Sequence, residues 1–333
     1  MLLKKLSVCA AFALACVSSS AQALYTMKIS TPTIGDVNVE WMKALKKGVE
    51  DRTQGKLAVE LYPASQLGSM ARTVDGVLLG TIEAAFVSSG FLVGVEPRYQ
   101  VFDAIGLFDD VNHGYRIFND PEVRKRMATL GASKGFQPLT TFVHSPNVIV
   151  SRKPVRVLDD FKGMKVRTYP SPMQMEPLRK LGMSPIPMTL GDVLPALQNG
   201  TIDGAVTANT IVTALKYQDA AKNAIYLPAW PTVAAAIVNK AWLAKLPAEY
   251  RTILEEEVRK ADASAAAWGN AEAEKSRAQF AQAGGVNTDM QGEQRTRFIG
   301  EVTQVLKPVI DSNSAVKEDF RVFSEAAARH KKP

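Results

Sequence analysis

The chain has 333 residues, 46% of them hydrophobic and 22% charged, with a formal net charge of +7. This is the balance of an ordinary globular protein, which excludes a disordered or collagen-like chain, and the length allows one large domain or two of middling size. Basic residues alternate with acids, as from Lys43 to Arg52, so the excess reads as a solvated surface and not as a nucleic-acid stripe.

Residues 1–23 read as a secretory signal. Lys4 and Lys5 precede an apolar run from Leu6 to Val17, and Ala21-Gln22-Ala23 is a small-residue cleavage site. Cleavage there leaves 310 residues and a net charge of +5, and removes both cysteines, Cys9 and Cys16. The expected mature chain can then have no disulfide, thiolate nucleophile, zinc–cysteine site or iron–sulfur cluster. Cys16 as a lipid-attachment site is the alternative, and Ala13-Leu14-Ala15 before it is a poor match to that pattern. Past residue 23 no apolar run reaches the ~18 residues of a membrane span.

Tyr25 to Ser30 alternates like a strand. Val39, Met42, Leu45 and Val49 then fall on one helical face, with Lys43, Lys46, Lys47 and Glu50 outside it. Leu57, Val59 and Leu61 recur at period two, a half-buried strand. A helix from Met70 to Leu79 stops at Gly80, and Ile82 to Ser88 reads as the next strand. This β-α-β-α-β order implies a parallel or mixed sheet faced with helices. Asp120-Pro121 and Ser171-Pro172 each start a helix with a cap residue and a proline. Gln137–His144 and Asn147–Ser151 read as two strands separated by Ser145-Pro146, and Gly163–Thr168 as a third. Thr189 with Asp192 has the form of a capping box for a helix ending at Gly200. From Pro247 to Ala283 there is no proline and one glycine, which predicts a single helix of roughly 35 residues, on the order of 50 Å long. Such a helix bridges two lobes or projects from one, and its apolar Leu254, Val258 and Trp268 favour bridging.

Gly80-Thr81-Ile82-Glu83-Ala84-Ala85-Phe86 has an echo in Gly200-Thr201-Ile202-Asp203-Gly204-Ala205-Val206. Each follows an amphipathic helix and leads into a strand that runs out into small polar residues. The expected fold is therefore α/β, with two similar lobes, a long bridging helix and a cleft where the carboxyl ends of strands face each other. Three histidines, His113, His144 and His330, show no metal-ligand spacing, and no nucleophile elbow, P-loop or dinucleotide motif occurs. No metal or cofactor is expected. The candidate ligand contacts are polar residues at strand ends: Arg167, a fork of donors suited to a carboxylate, with Ser88, Ser89, Thr207 and Asn209, each of which could equally be a turn residue. Trp230 is either a pocket wall or a core tryptophan.

Several segments together resemble the solute-binding proteins of tripartite ATP-independent periplasmic (TRAP) transporters, DctP type. They are Leu61-Tyr62-Pro63 with Gln66-Leu67-Gly68; Gly80-Thr81-Ile82; Phe161 to Arg167 ("FKGMKVR"); Gly182 to Met188 ("GMSPIPM"); Leu194 to Gly204 ("LPALQNGTIDG"); and Leu246-Pro247. The resemblance spans nearly all of residues 25–310. It implies a periplasmic receptor that traps an organic acid between two lobes and delivers it to the small and large subunits of a membrane permease. It also implies that Arg167 pairs with the substrate carboxylate. Thr207 stands where that family commonly has asparagine, with Asn209 as a possible substitute, and Asn147 where some sugar-acid binders carry a second arginine. Ser69-Met70-Ala71 replaces the acids common after Gly68. These departures remove charge, so the ligand expected is a monocarboxylate, a 2-hydroxy, 2-keto or aromatic acid, with Phe91, Tyr169, Met70, Phe86, Met173 and Trp230 as possible walls. Expected lobe boundaries are 24–144 plus 233–272 for the first lobe and 145–232 plus 273–333 for the second. A ligand-sensing receptor for a signalling partner would use an identical site, and a secreted hydrolase would need a nucleophile beside His113 or His144.

Overall fold

The computed structural model describes residues 24–331; the expected signal and both cysteines lie outside the described residues. The first unit runs β1 (Tyr25–Ser30), α1 (Val37–Arg52), β2 (Leu57–Tyr62), α2 (Met70–Leu79) and β3 (Ala84–Ser88). Two 3-10 turns, Ser89–Leu92 and Pro97–Asp103, lead to α3 (Val111–Phe118) and α4 (Pro121–Met127). A long strand, β4 (Phe136–Ser151), crosses into the second unit: β5 (Lys165–Thr168), α5 (Pro172–Lys180), β6 (Ser184–Pro187), α6 (Leu190–Asn199), β7 (Gly204–Ala208) and α7 (Asn209–Ala214). A second long strand, β8 (Asn223–Asn239), crosses back to α8 (Lys240–Lys245) and to α9 (Ala248–Gln282). The chain ends with β9 (Val286–Asp289), α10 (Gly292–Gln304), α11 (Leu306–Asp311) and α12 (Ser314–His330).

The strand order is β2-β1-β3-β8-β4-β7-β5-β6, with β9 also on β8. β1 lies parallel to β2 and β3, and β5 parallel to β6 and β7, so each lobe has its own parallel triplet. The antiparallel pair β4/β8 joins them. Ala234 to Val238 of β8 pair with β3 in the first lobe, while Asn223 to Tyr226 pair with β9 in the second. The chain thus has the two-lobed α/β architecture expected.

The join itself differs from the sequence reading, which separated two strands at Ser145-Pro146. β4 is continuous there, but its register slips between Val143 and Ser145 and again between Pro146 and Val148. Pro146 faces Pro231 of β8. Neither ring can donate to the ladder, so the pair sits where the ladder is already interrupted. β8, with Pro228 and Pro231 inside it, was not anticipated, since proline argues against a central strand.

The echoed segments match in form. Gly80 and Gly200 each end a helix in the left-handed region, at φ 76° and 77°, where a side chain would be strained. The long helix α9 packs on α1, α3 and β4 in the first lobe and on α7 and β9 in the second. At Gly269 it passes so close that a Cβ would lie 3.3 Å from the His144 carbonyl oxygen, at the crossover strand. Leu254, Val258 and Ala261 of α9 close a core with Trp41, Met42, Leu45 and Phe86. Trp41 meets Phe86 edge-on at 5.0 Å, and Phe142 completes the cluster. Phe86, expected as a cleft wall, is therefore spent on this core. At the C-terminus α10 and α11 pack on α5, but α12 returns to α3, α4 and the turn Pro97–Asp103. The reading that placed all of 273–333 in the second lobe differs from this packing.

Candidate functional site

Arg167 ends β5 fully buried, while Lys165, two residues earlier on the same side, is exposed. The difference is local: the Arg167 side chain is held by the residue just past β6 and by β7 itself. Arg167 Nε donates to the Met188 carbonyl at 2.9 Å and Nη1 to the Val206 carbonyl at 2.8 Å. Its guanidinium carbon stands 4.5 Å from the centre of the Tyr169 ring. Among the described residues no carboxylate pairs with it, and Nη2 has no hydrogen-bond partner. A buried cation with an unused donor is expensive, and most buried donors are satisfied.

From Tyr169 a chain of contacts leads across the crossover strands. The Tyr169 hydroxyl lies 3.4 Å from Thr232 Oγ1, and Thr232 Oγ1 donates to Asn147 Oδ1. Asn147 Nδ2 has no partner, and neither does the hydroxyl of Thr207, beside the Val206 carbonyl that holds Arg167. Arg167, Thr207 and Asn147 are all fully buried. They come from β5, β7 and β4, three strands that are neighbours in the sheet. The site thus holds, on three neighbouring strands, three buried polar groups without a hydrogen-bond partner among the described residues.

The two lobes are shut over it. The space left between them, lined by Thr33, Asn38, Ser88, His144, Tyr169 and Thr232 among others, is about 20 Å³. That is room for about one water. A wider recess of about 220 Å³ opens at the lobe boundary between Pro32, Ser65, Gly68–Met70 and Thr189–Gly191. Another recess, about 340 Å³, lies away from Arg167 along β4 and α9 and includes Thr140, Glu255 and Asp262. Among the described residues no group of three or more histidine, aspartate and glutamate side chains is placed to hold a metal.

The expected contacts divide. Arg167, Tyr169, Thr207 and Asn147 cluster as described, Ser88 lines the gap, and Phe91 meets Tyr169 edge-on at 6.2 Å. Ser89 is committed elsewhere, donating to Asp103 Oδ1 at 2.9 Å. Asn209 turns to the long helix and donates to the Ala273 carbonyl at 2.8 Å. Trp230 is buried against Phe298, ring centres 6.3 Å apart, and Met173 is wholly inside. Thr189 and Asp192 bond each other at 2.9 Å, and no side chain caps α6, so the capping box is not formed.

Sequence reasoning missed His144, Thr232 and Asp103. His144 Nε2 lies 2.9 Å from Asp36 Oδ2 in the wall of the gap. Its position at the end of the strand reading 137–144 was the available signal. Thr232 belongs to the unforeseen β8. Asp103 had no sequence signal: its carboxyl is buried beneath the turn it terminates, and burial pushes it up to about 6 against hydrogen bonds that include those from Ser89 and Gln174.

Residues 31–313 match the family model described as DctP, bacterial extracellular solute-binding protein, family 7. The chain belongs to this family of TRAP solute-binding proteins. A solute-binding protein of Verminephrobacter eiseniae is 30% identical over 235 residues, covering 69% of this chain and 69% of the relative. The 2,3-diketo-L-gulonate-binding periplasmic protein YiaO of Escherichia coli is 29% identical over 62% of this chain and 63% of its own. Among solved structures, a TRAP periplasmic solute-binding protein of Desulfovibrio salexigens with bound orotic acid superposes with a TM-score of 0.88 at 22% identity, covering 92% of this chain and 100% of that one. The sugar acid binding protein DctPAm of Advenella mimigardefordensis in complex with galactonate gives 0.85 at 18% identity, over 92% and 98% of the two chains. At these identities the superpositions establish the fold. The DctP family consists of binding proteins, not enzymes, and this chain is a solute-binding protein. Among its described residues no helix is long and apolar enough to cross a membrane.

Proposed function

We propose that this DctP-family protein is exported by residues 1–23, traps a small monocarboxylate between its lobes in the periplasm, and hands it to a TRAP permease of one small and one large membrane subunit. The observation that carries the reading is the unpartnered Nη2 of fully buried Arg167, with the free donors of Asn147 and Thr207. A ligand carboxylate supplies the missing acceptor and the missing charge together, and the guanidinium fork suits it geometrically.

Charge counting supports one carboxylate. Asn147 is neutral, so a second buried carboxylate would have no cation opposite it, at a cost of several kcal/mol. The ligands named for the two solved relatives, orotic acid and galactonate, carry one carboxylate each. Tyr169, backed edge-on by Phe91, gives the pocket an aromatic wall, which favours an apolar or aromatic body over a polyhydroxylated one. Ser88 and the Tyr169 and Thr232 hydroxyls remain for one hydroxyl or keto group beside the carboxylate.

The test is a thermal-shift screen of carboxylic acids, followed by competition between one- and two-carboxylate acids of similar size. A binder at a hundredfold excess over its Kd stabilises the fold by about 2.7 kcal/mol. The expected hits are phenyl- or alkyl-substituted 2-hydroxy or 2-keto acids. Micromolar binding of a C4 dicarboxylate or a sialic acid, with none of those acids bound, would overturn the ligand class and leave the receptor reading standing.

A further inference from the structure

Beyond the ligand pocket, a second polar cluster crosses the lobe boundary. Asp103 ends the turn Pro97–Asp103, which follows β3 of the first lobe, and is 2% exposed. Its Oδ1 accepts from Ser89 Oγ at 2.9 Å within that lobe and from Gln174 Nε2 at 3.3 Å across the boundary. Gln174 sits on α5 of the second lobe, and its Oε1 accepts from Thr168 Oγ1 at 3.3 Å, one residue beyond Arg167. Asp103 Oδ2 and Ser171 Oγ both lack a partner, and both flank Gly90: a Cβ there would lie 3.3 Å from Oδ2 and 3.4 Å from the Ser171 Cβ. Ser171 occupies the cap position of α5 without capping it, which leaves its hydroxyl for this cluster.

We infer that Asp103 is a positioning residue for closure: it latches the lobes through Gln174 and takes up a proton from solvent when they shut. Parting the lobes would withdraw Gln174 and Ser171 from this carboxyl and let it ionise closer to the usual carboxylate range. In the closed form it is surrounded by two serines and a glutamine, with no cation, and burial disfavours its charge. A proton on Oδ2 gives the closed form one more donor, beside the free oxygen of Ser171.

The charged groups on the surrounding elements are engaged elsewhere. On α5, Glu176 pairs with Arg179 at the surface, and Lys180 is exposed. On the turn itself Arg98 binds Asp319 of α12. Tyr99 is buried and held neutral by that burial. The chain at 169–171 contributes Tyr169 and Ser171, the turn 89–92 only Ser89, and the facing part of β8 no charged residue. The sign follows. The carboxyl titrates near 6 when shut and near its ordinary value when open, so closure is favoured below about pH 4 and the preference is lost as pH rises through 6.

This rests on the two-lobed receptor reading but not on any ligand, so it can be tested without one. Residues 24–333 contain the whole described fold and no cysteine, so spin labels at Lys47→Cys on α1 and Lys180→Cys on α5 report the lobe separation alone. The closed-to-open ratio should rise about tenfold from pH 7.5 to pH 5 in the unmodified background. Asp103→Asn should make it independent of pH, since an amide does not titrate there. Gln174→Leu, which keeps the carboxyl but removes the crossing bond, should lower the closed fraction at both pH values. A flat pH response in the parent, or an equal response in Asp103→Asn, would overturn the inference. If Asp103→Asn does not fold by circular dichroism, an unchanged closed fraction in Gln174→Leu overturns it instead. An acid screen without hits would count against the proposed ligand class and leave this result untouched.

Discussion

Two buried charges in this molecule have opposite surroundings. Asp319 on α12 is 2% exposed and fully engaged: Arg98 Nε reaches it at 2.5 Å and Nη2 at 3.0 Å, and Arg126 Nε donates to it as well. Arg167 is equally buried but meets only two backbone carbonyls and an aromatic face, with one donor unused. The first arrangement ties the last helix to the first lobe and leaves nothing over. The second has strand-end geometry and an unspent charge. Burial alone therefore does not mark a functional charge; the unfilled valence does.

The largest effect is expected where the charge is complete. Asp319→Ala leaves two arginines facing each other without their shared anion, and removing one partner of a buried pair costs about 3–5 kcal/mol. Urea denaturation should report a loss in that range, and acid binding should hold, because α12 lies away from the gap. Arg167→Lys should do the reverse. Lysine keeps the charge but loses the planar fork, and one lost bond to a charged group costs roughly 1.5–3 kcal/mol, about ten- to hundredfold in affinity. Stability should fall by only about 1 kcal/mol, the worth of one carbonyl bond. Calorimetry with the best acid of the screen decides; affinity unchanged beside a collapsed stability would put Arg167 in the same class as Asp319.

A smaller effect comes from geometry. Gly90 lets the first lobe approach the second so closely that a Cβ would stand 2.8 Å from the Tyr169 Cβ. A Cβ cannot swing away as a side-chain tip can, so Gly90→Ala must hold the lobes apart. The overpacking cost of about 1–3 kcal/mol should fall on closure and thus on acid affinity. Small-angle scattering should show a smaller change in radius of gyration on adding the acid than in the parent. An undiminished change would mean that the lobes meet differently at this point.

These contrasts bear on what a sequence can disclose. Local rules were enough for the helices: the alanine-rich stretch after Pro247 became α9 within a residue at each end, and the twin glycine stops at Gly80 and Gly200 came out alike. The echoed heptapeptides pointed correctly to two lobes. The buried place of Arg167 was legible because a motif fixed its position, although its parity with exposed Lys165 argued for the surface. The crossover was not legible, because Pro146 and Pro231 break a ladder that only their mutual pairing makes tolerable. Asp103 was invisible for a related reason. Its neighbours Ser89, Ser171 and Gln174 are far apart in sequence, and two of them sat in patterns with simpler readings, a strand end and a helix cap. Asn209 shows the converse: a polar residue after a strand, fitting the pocket by position, whose side chain serves the bridging helix.

A third, half-buried charge lies between the two extremes and gives the smallest expected effect. Asp262 on α9 faces no cation at bonding distance; Trp41 Nε1 donates to its Oδ1 at 2.7 Å and Thr140 Oγ1 to the same atom at 2.6 Å. Burial pushes it up to about 6, against the hydrogen bonds from Thr140 and Trp41 and the more distant charge of Arg124. An acid raised above its unfolded value binds its proton more tightly when folded. Its contribution is most favourable below about pH 4 and is lost as pH rises through 6. At pH 7 the charged form therefore weakens the fold, by on the order of 1 kcal/mol, since the side chain also lines the open recess along β4 and water can reach it. Asp262→Asn keeps an oxygen for both donors and removes the charge. It should be more stable than the parent at pH 7 and equal to it at pH 4, as read from urea midpoints at the two values. Because Asp262 bonds only Trp41 and Thr140, where α9 packs on the first lobe, the lobe separation should not respond to this substitution, which separates its titration from that of Asp103. Destabilisation at pH 7 would mean that the carboxylate charge itself is compensated, which would move Asp262 into the company of Asp319.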